Sequence, residues 1–224
     1  MAASDGPRII TDGLVFAVDA ADRNSYTNGS NTWYDWSGNG NNGTLTNGPT
    51  FDEANGGSIV FDGTDDYATP NFTLNGSQPL TVSCWFNLDT VSKNWHSIID
   101  AFKDANDRNF QLWCDNVGKI RVFHLGSPHS GTYTLSPNIW YNAIFTYPGS
   151  GLGTLYVNGN ITDLNVPKGS GGGGDIQLNI GRRTDGSVNS YTNGSISNIH
   201  IYNRALTASE ISQNYNALKS RFNL

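Results

Sequence analysis

From Leu14 to Tyr202 the apolar residues of this chain come in short runs, each stopped by a cluster of Gly, Asn, Asp or Pro, and nowhere in the roughly 3.6-residue rhythm of an amphipathic helix. That punctuation restricts the chain to folds made of many short strands. Strands are expected at Leu14–Val18, Ser58–Phe61, Tyr67–Thr69, Leu80–Leu88, His96–Phe102, Phe110–Cys114, Lys119–Phe123, Trp140–Tyr147, Leu152–Val157, Asp175–Gly181 and Ser195–Tyr202. Asp62-Gly63 and Asn158-Gly159 are dipeptides that tolerate positive φ, and each predicts a hairpin between its flanking runs. Strands without intervening helices argue for an all-β, two-sheet antiparallel sandwich rather than a parallel sheet.

One helix is legible, at the end. Thr207-Ala-Ser-Glu210 has the spacing of a capping box, in which hydroxyl and carboxylate each satisfy the other's backbone amide. Leu206 and Ile211 stand at the staple positions, and Ile211, Tyr215, Leu218 and Phe222 share one face, which predicts a helix over 208–221 docked on the sandwich. Residues 1–12 are polar and read as an N-terminal arm, leaving 13–224 as one sandwich domain. A chain of 224 residues buries enough surface to fold without disulfides or metals. Cys84 and Cys114, the only cysteines, lie inside strand-like runs and read as buried free thiols.

Composition excludes several classes. Charged residues make up 14% against 37% hydrophobic, the opposite of a disordered chain. A net charge of −6 without any basic run leaves nothing to displace counterions from phosphates, so nucleic acid is set aside. No apolar run is long enough to cross a bilayer, so no membrane partner is expected. The N-terminus MAASDGPRII lacks the apolar core of a secretory signal, from which either synthesis in a cytoplasm or earlier removal of a signal is expected.

Two sets of residues stand out as binding candidates. Asp62, Asp65 and Asp66 crowd into one predicted hairpin and could hold a hard cation such as calcium; the same residues also serve as turn formers and strand caps. Trp33, Tyr34, Trp36, Trp95 and Tyr191 lie in polar loops or at strand edges, where an aromatic ring can stack on the apolar face of a sugar; they can equally anchor the loops. Trp85, Trp113 and Trp140 fall within strands and read as core.

Five motifs in order resemble one family. Asp35-Trp-Ser-Gly-Asn-Gly-Asn-Asn-Gly-Thr44, Gly57-Ser-Ile-Val-Phe-Asp-Gly-Thr-Asp-Asp-Tyr67, Leu80-Thr-Val-Ser-Cys-Trp-Phe86, Leu155-Tyr-Val-Asn-Gly159 and Ser195-Ile-Ser-Asn-Ile-His-Ile-Tyr-Asn-Arg-Ala-Leu206 are similar to the laminin G-like jelly-roll domains of the concanavalin A-like lectin/glucanase superfamily. The block Gly13–Tyr67 is particularly similar to lectin-like domains on bacteriophage virion proteins: fibres, spikes and capsid decorations. The resemblance implies a lectin-like module on a virion assembled in the host cytoplasm. Its partners would be a glycan or cell-surface polysaccharide, other virion proteins, and further copies of itself in homo-oligomeric or multicopy display. The alternative is a structural decoration or cement protein that binds only protein. Relatives that hold calcium often add an acidic residue of the last strand, and that place is here Asn198.

Catalysis is not expected. Glucanases of this fold place paired carboxylates along one strand, whereas Glu53 and Glu210 are the only glutamates and no E-x-D-x-E pattern occurs. Asp100, Asp104 and Asp107 read as solvated turn formers near the polar loop Lys103–Asn109. There is no G-x-S-x-G elbow, and His96, His124, His129 and His200 are scattered without metal-ligand spacing.

Overall fold

The computed structural model describes residues 7–92, 95–104, 107–171, 173–183 and 190–224. The first strands are β1 (Leu14–Asp19), β2 (Thr32–Trp33), β3 (Gly43–Thr46), β4 (Thr50–Asp52), β5 (Ser58–Asp62), β6 (Tyr67–Pro70) and β7 (Thr73–Leu74). The middle of the chain adds β8 (Leu80–Leu88), β9 (His96–Phe102), β10 (Arg108–Cys114), β11 (Lys119–His124), β12 (Ser127–Thr134) and β13 (Trp140–Tyr147). Last come β14 (Gly153–Val157), β15 (Asn160–Val166), β16 (Ile176–Gln177), β17 (Asn179–Ile180), β18 (Asn193–Tyr202) and the helix α1 (Ala208–Leu218), which runs into a 3₁₀ turn over Lys219–Phe222.

Two large antiparallel sheets face each other, as the all-β reading expects. One runs β15-β14-β13-β8-β18-β5-β4, and β1 joins it along β18. Its long strand β18 serves two partners on one edge: Asn193–Ile196 pair with β5, and Asn198–Tyr202 pair with β1. The other sheet runs β12-β11-β10-β9-β17-β6-β3-β2. Strand alternation fills the space between. Leu80, Val82, Cys84, Phe86 and Leu88 of β8 enter the core from one side, and Phe110, Leu112 and Cys114 of β10 from the other. Cys84 and Cys114 are free and buried, and burial pushes the Cys114 thiol up to about 12.

The opposite face of β8 is covered too, which explains why every residue of the strand except Asn87 is buried. Trp85 points out of the sandwich and stacks on Phe222, with ring centroids 4.2 Å apart, and on Tyr215 at 5.7 Å. The capping box forms: the Thr207 amide donates to Glu210 Oε2 (2.8 Å) and the Glu210 amide to Thr207 Oγ1 (3.3 Å). Side-chain hydrogen bonds from Arg204, and then the Thr207 amide, hold the Glu210 carboxyl down at about 2. Leu206 and Ile211 close the staple in a second cluster with Ile144, Tyr156 and Tyr202. The α-helix ends at Leu218, earlier than expected, because the last turn tightens to 3₁₀ geometry and so delivers Phe222 to Trp85. Of the expected arm, residues 1–6 lie outside the described residues. The remainder lies along the helix: the Ile10 amide donates to Asn214 Oδ1 at 2.8 Å, and Gln213 donates to the Arg8 carbonyl.

Two turn expectations part ways. Asn158 and Gly159 both take positive φ (51° and 75°) and join the paired strands β14 and β15, the two-residue hairpin their types favour. Asp62-Gly63 makes no hairpin: β5 pairs with β18 and β4, whereas β6 pairs with β3 and β17 in the opposite sheet. The segment is a corner between sheets. Asp62 Oδ1 turns it by accepting from the Thr64 amide (2.7 Å) and the Asp65 amide (3.3 Å).

Candidate functional site

The outer face of the second sheet carries a cleft of about 350 Å³, within the range of roughly 300–1,000 Å³ typical of ligand pockets. Pairing register builds its floor. One rung across the sheet is Ser97 (β9), Trp113 (β10), Arg121 (β11) and Ser130 (β12); the next is Asp100, Gln111, Phe123 and Pro128. In β10 the core residues Phe110, Leu112 and Cys114 alternate with Gln111 and Trp113, which therefore face out. Ser97 and Asp100 share that outer face although three positions separate them, because a bulge in the β9–β10 ladder lets Ile98 and Ile99 both enter the core.

Aromatic and cationic groups wall the cleft. Trp95, just before β9, leans on Trp113 with ring centroids 4.1 Å apart and planes inclined by 43°. Trp113 is 9% exposed, whereas Trp95 keeps 44% of its surface open. Arg121 is locked in place. It meets Asp115 Oδ2 at 2.6 Å, donates to Ser130 Oγ, and lies 5.4 Å over the Trp113 ring. Burial would raise the Asp115 carboxyl, but hydrogen bonds from the Lys119 amide and Arg121 bring it below its ordinary value. Arg108 and Arg183 set their guanidinium carbons 4.7 and 4.4 Å from the centroid of one ring, Phe102. At the floor the carboxylate of Asp100 accepts from Gln111 Nε2 and from the Phe102 amide.

The expected sugar-binding aromatics do not form one site. Trp95 lines the cleft; Tyr191 follows Ser190, a lining residue, and is itself half-buried. Trp33 is wholly buried in the core and offers no face, because its polar loop is anchored by it. Tyr34 is 45% exposed, and Trp36 sets an edge against His200 at 5.6 Å. That loop is pinned elsewhere, Asp35 Oδ1 accepting from the Ala17 amide of β1. Residues that sequence reasoning missed supply most of the cleft: Trp113, Gln111, Phe123, Arg108, Arg121 and Arg183. Trp113 was legible, since it falls on the Gln111 side of an alternating strand. The arginines were not, because no local pattern brings β10, β11 and the segment after β17 together. Asp100 is also corrected: it is a fully buried member of β9, not a solvated turn residue.

The acidic corner is a second, separate constellation. Carboxylate oxygens of Asp62, Asp65 and Asp66 lie within 4.8 Å of one another, a span that two ligands of one ion at about 2.4 Å each can bridge. Burial, and next to it the charges of Asp62 and Asp65, raise the Asp66 carboxyl above its ordinary value, even though it accepts from the Asp62 amide. The donor types fit a hard cation. Asn198 does not join them: Asn193 faces Asp62 across the β18–β5 pair, while Asn198 is buried opposite Asp19. Among the described residues no helix is long and apolar enough to cross a membrane.

Comparison with known proteins agrees with this architecture. Among curated proteins none matches by sequence. A Trypanosoma rangeli sialidase in complex with 2,3-difluorosialic acid aligns with a TM-score of 0.74 at 18% identity, over 96% of this chain and 35% of that one. A Trypanosoma rangeli sialidase in complex with sialic acid gives 0.72 at 16%, over 95% and 34%. The receptor binding domain of a botulinum neurotoxin C/D mosaic serotype gives 0.72 at 18%, over 92% and 51%. The chain thus spans about a third of the sialidase chains and half of the toxin domain. These neighbours correct the expectation that the chain is no enzyme: chains named as enzymes contain this fold, so the sandwich does not separate binding from catalysis. At such identity the likeness carries the fold alone. By sequence, the laminin G profile of the concanavalin A-like lectin/glucanases superfamily matches residues 61–212, more than half of the chain. The chain therefore belongs to the concanavalin A-like lectin/glucanases superfamily.

Proposed function

We propose that this chain is a glycan-binding module that takes a saccharide into the cleft on the outer face of the β9–β12 sheet, and that it is displayed in many copies on a virion surface. The observation that carries the binding reading is the exposed Trp95 ring braced on Trp113, above a floor of polar side chains. A braced indole presents a flat apolar face at little entropic cost, and a sugar ring has an apolar C–H face to lay on it while its hydroxyls reach Gln111 and Ser97. The likeness of Gly13–Tyr67 to lectin-like domains of phage virion proteins supports the display. Repeated copies would multiply weak single-site affinity. As part of the same proposal, Asp62, Asp65 and Asp66 hold a calcium ion at the corner between the sheets.

The test is a panel of bacterial surface polysaccharides probed with the intact chain and with Trp95→Ala. Saccharide retention should fall at least about tenfold in the variant, equivalent to about 1.4 kcal/mol. Unchanged retention by the variant would remove the cleft from the reading. Firm attachment to a particle without affinity for any saccharide would point instead to a decoration protein.

A further inference from the structure

We infer that the cleft selects saccharides carrying negative charge, carboxylate or phosphate, and that Arg108 is the anchor for the anionic group. This rests on the glycan reading above and narrows its ligand class. The charged side chains around the site are unequal in what they have left to offer. Arg121 is committed to Asp115 and Ser130. Away from the cleft, Arg204 is committed to Glu210 and Asp12, and Arg221 to Asp19 and Ser197. Arg108 meets no carboxylate among the described residues. Its guanidinium is positioned by two rings, Phe102 at 4.7 Å and Phe123 at 5.0 Å, and its Nε makes one long contact, 3.4 Å, with the Asp104 carbonyl.

A guanidinium clamped by rings is held in orientation while its terminal N–H groups stay available, the arrangement suited to two-pronged recognition of a carboxylate or phosphate. Arg183 brings a second guanidinium to the same Phe102 ring, 4.4 Å from its centroid. The Asp100 carboxylate nearby is fully buried and accepts from Gln111 Nε2 and the Phe102 amide. The setting sharpens the choice. With a net charge of −6 the chain repels polyanions in general, so an acidic saccharide is held only where the fork of donors meets it.

The experiment measures binding of the intact chain to polygalacturonate and its carboxyl-reduced form, and to a phosphomannan and its dephosphorylated form, at low and high salt. Charged polymers should bind at least tenfold more tightly than their neutral counterparts, with the advantage shrinking as salt rises; the better pair tells carboxylate from phosphate. Arg108→Ala should erase the preference, and Arg108→Lys should restore it only partly. Equal binding of charged and neutral forms overturns the inference while leaving the glycan reading intact. Absence of binding to every polymer, charged or neutral, and to the wider panel defeats the glycan reading itself. Should Arg108→Ala fail to fold, the polymer pairs on the unaltered chain still decide the charge preference.

Discussion

His124 and His200 are held where water does not reach, and the fold keeps both neutral. Burial, the largest cause for each, brings both imidazoles down to about 4 from 6.5; for His124 a hydrogen-bonding contact between Nε2 and the Gly76 carbonyl works in the other direction. Between those two pH values the unfolded chain binds protons that the folded chain does not, so stability rises with pH across the window and falls as acid is added from 6.5 to 4. A tenfold change in proton affinity is worth about 1.4 kcal/mol, so the pair should remove several kcal/mol over that range. Urea unfolding at pH 7 and pH 4.5 checks this. His124→Gln should flatten the dependence, and an equally steep loss in the variant would assign the acid sensitivity elsewhere. Residue chemistry of this kind is only half legible in sequence. The histidines are visible as residues, and their lack of metal-ligand spacing is too, but their burial depends on the sheet that closes over them.

At the scale of elements, the C-terminal helix is the clearest case of local information surviving into the structure. Its cap, its staple and its apolar face are written within Leu206–Phe222; the cap and staple form as the spacing expects, while Phe222 joins Tyr215 on Trp85 from the 3₁₀ turn that follows the helix. What the spacing did not give is the partner. Trp85, 1% exposed, is read from sequence as core, yet it points away from the main core and is buried by Phe222 and Tyr215. Trp85→Ala should therefore cost about 3–5 kcal/mol, measured by chemical denaturation, because it leaves a cavity beneath the helix. Trp85→Phe should recover part of the loss by keeping one stacked ring. If Trp85→Ala proved neutral, the helix would not be docked as described. Strand β12 shows the reverse limit. Ser127–Thr134 carries Pro128 and Gly131 and little apolar alternation, so it looks like loop, but as the edge strand of its sheet it needs only one hydrogen-bonded side.

For the whole molecule, the acidic corner matters because Asp62–Asp66 is where the chain leaves one sheet for the other. A calcium ion on those carboxylates would be a clamp between layers, stabilising the folded chain by mass action, about 2.7 kcal/mol at a hundredfold excess over Kd. Millimolar calcium should raise the Tm by several degrees, and Asp66→Asn should abolish the rise; a Tm indifferent to calcium would dismiss the site. The sequence by itself determined the class of fold, most strand positions and the helix with its cap, because alternation, turn chemistry and capping act between residues a few positions apart. Only the tertiary structure decided that Asp62-Gly63 is a corner and that Trp33 is core. It also decided that Trp95, Trp113 and Arg108 share a cleft with Arg183. Those outcomes depend on which strands lie side by side, and strand order is settled by burying apolar faces across the whole chain rather than by any local pattern.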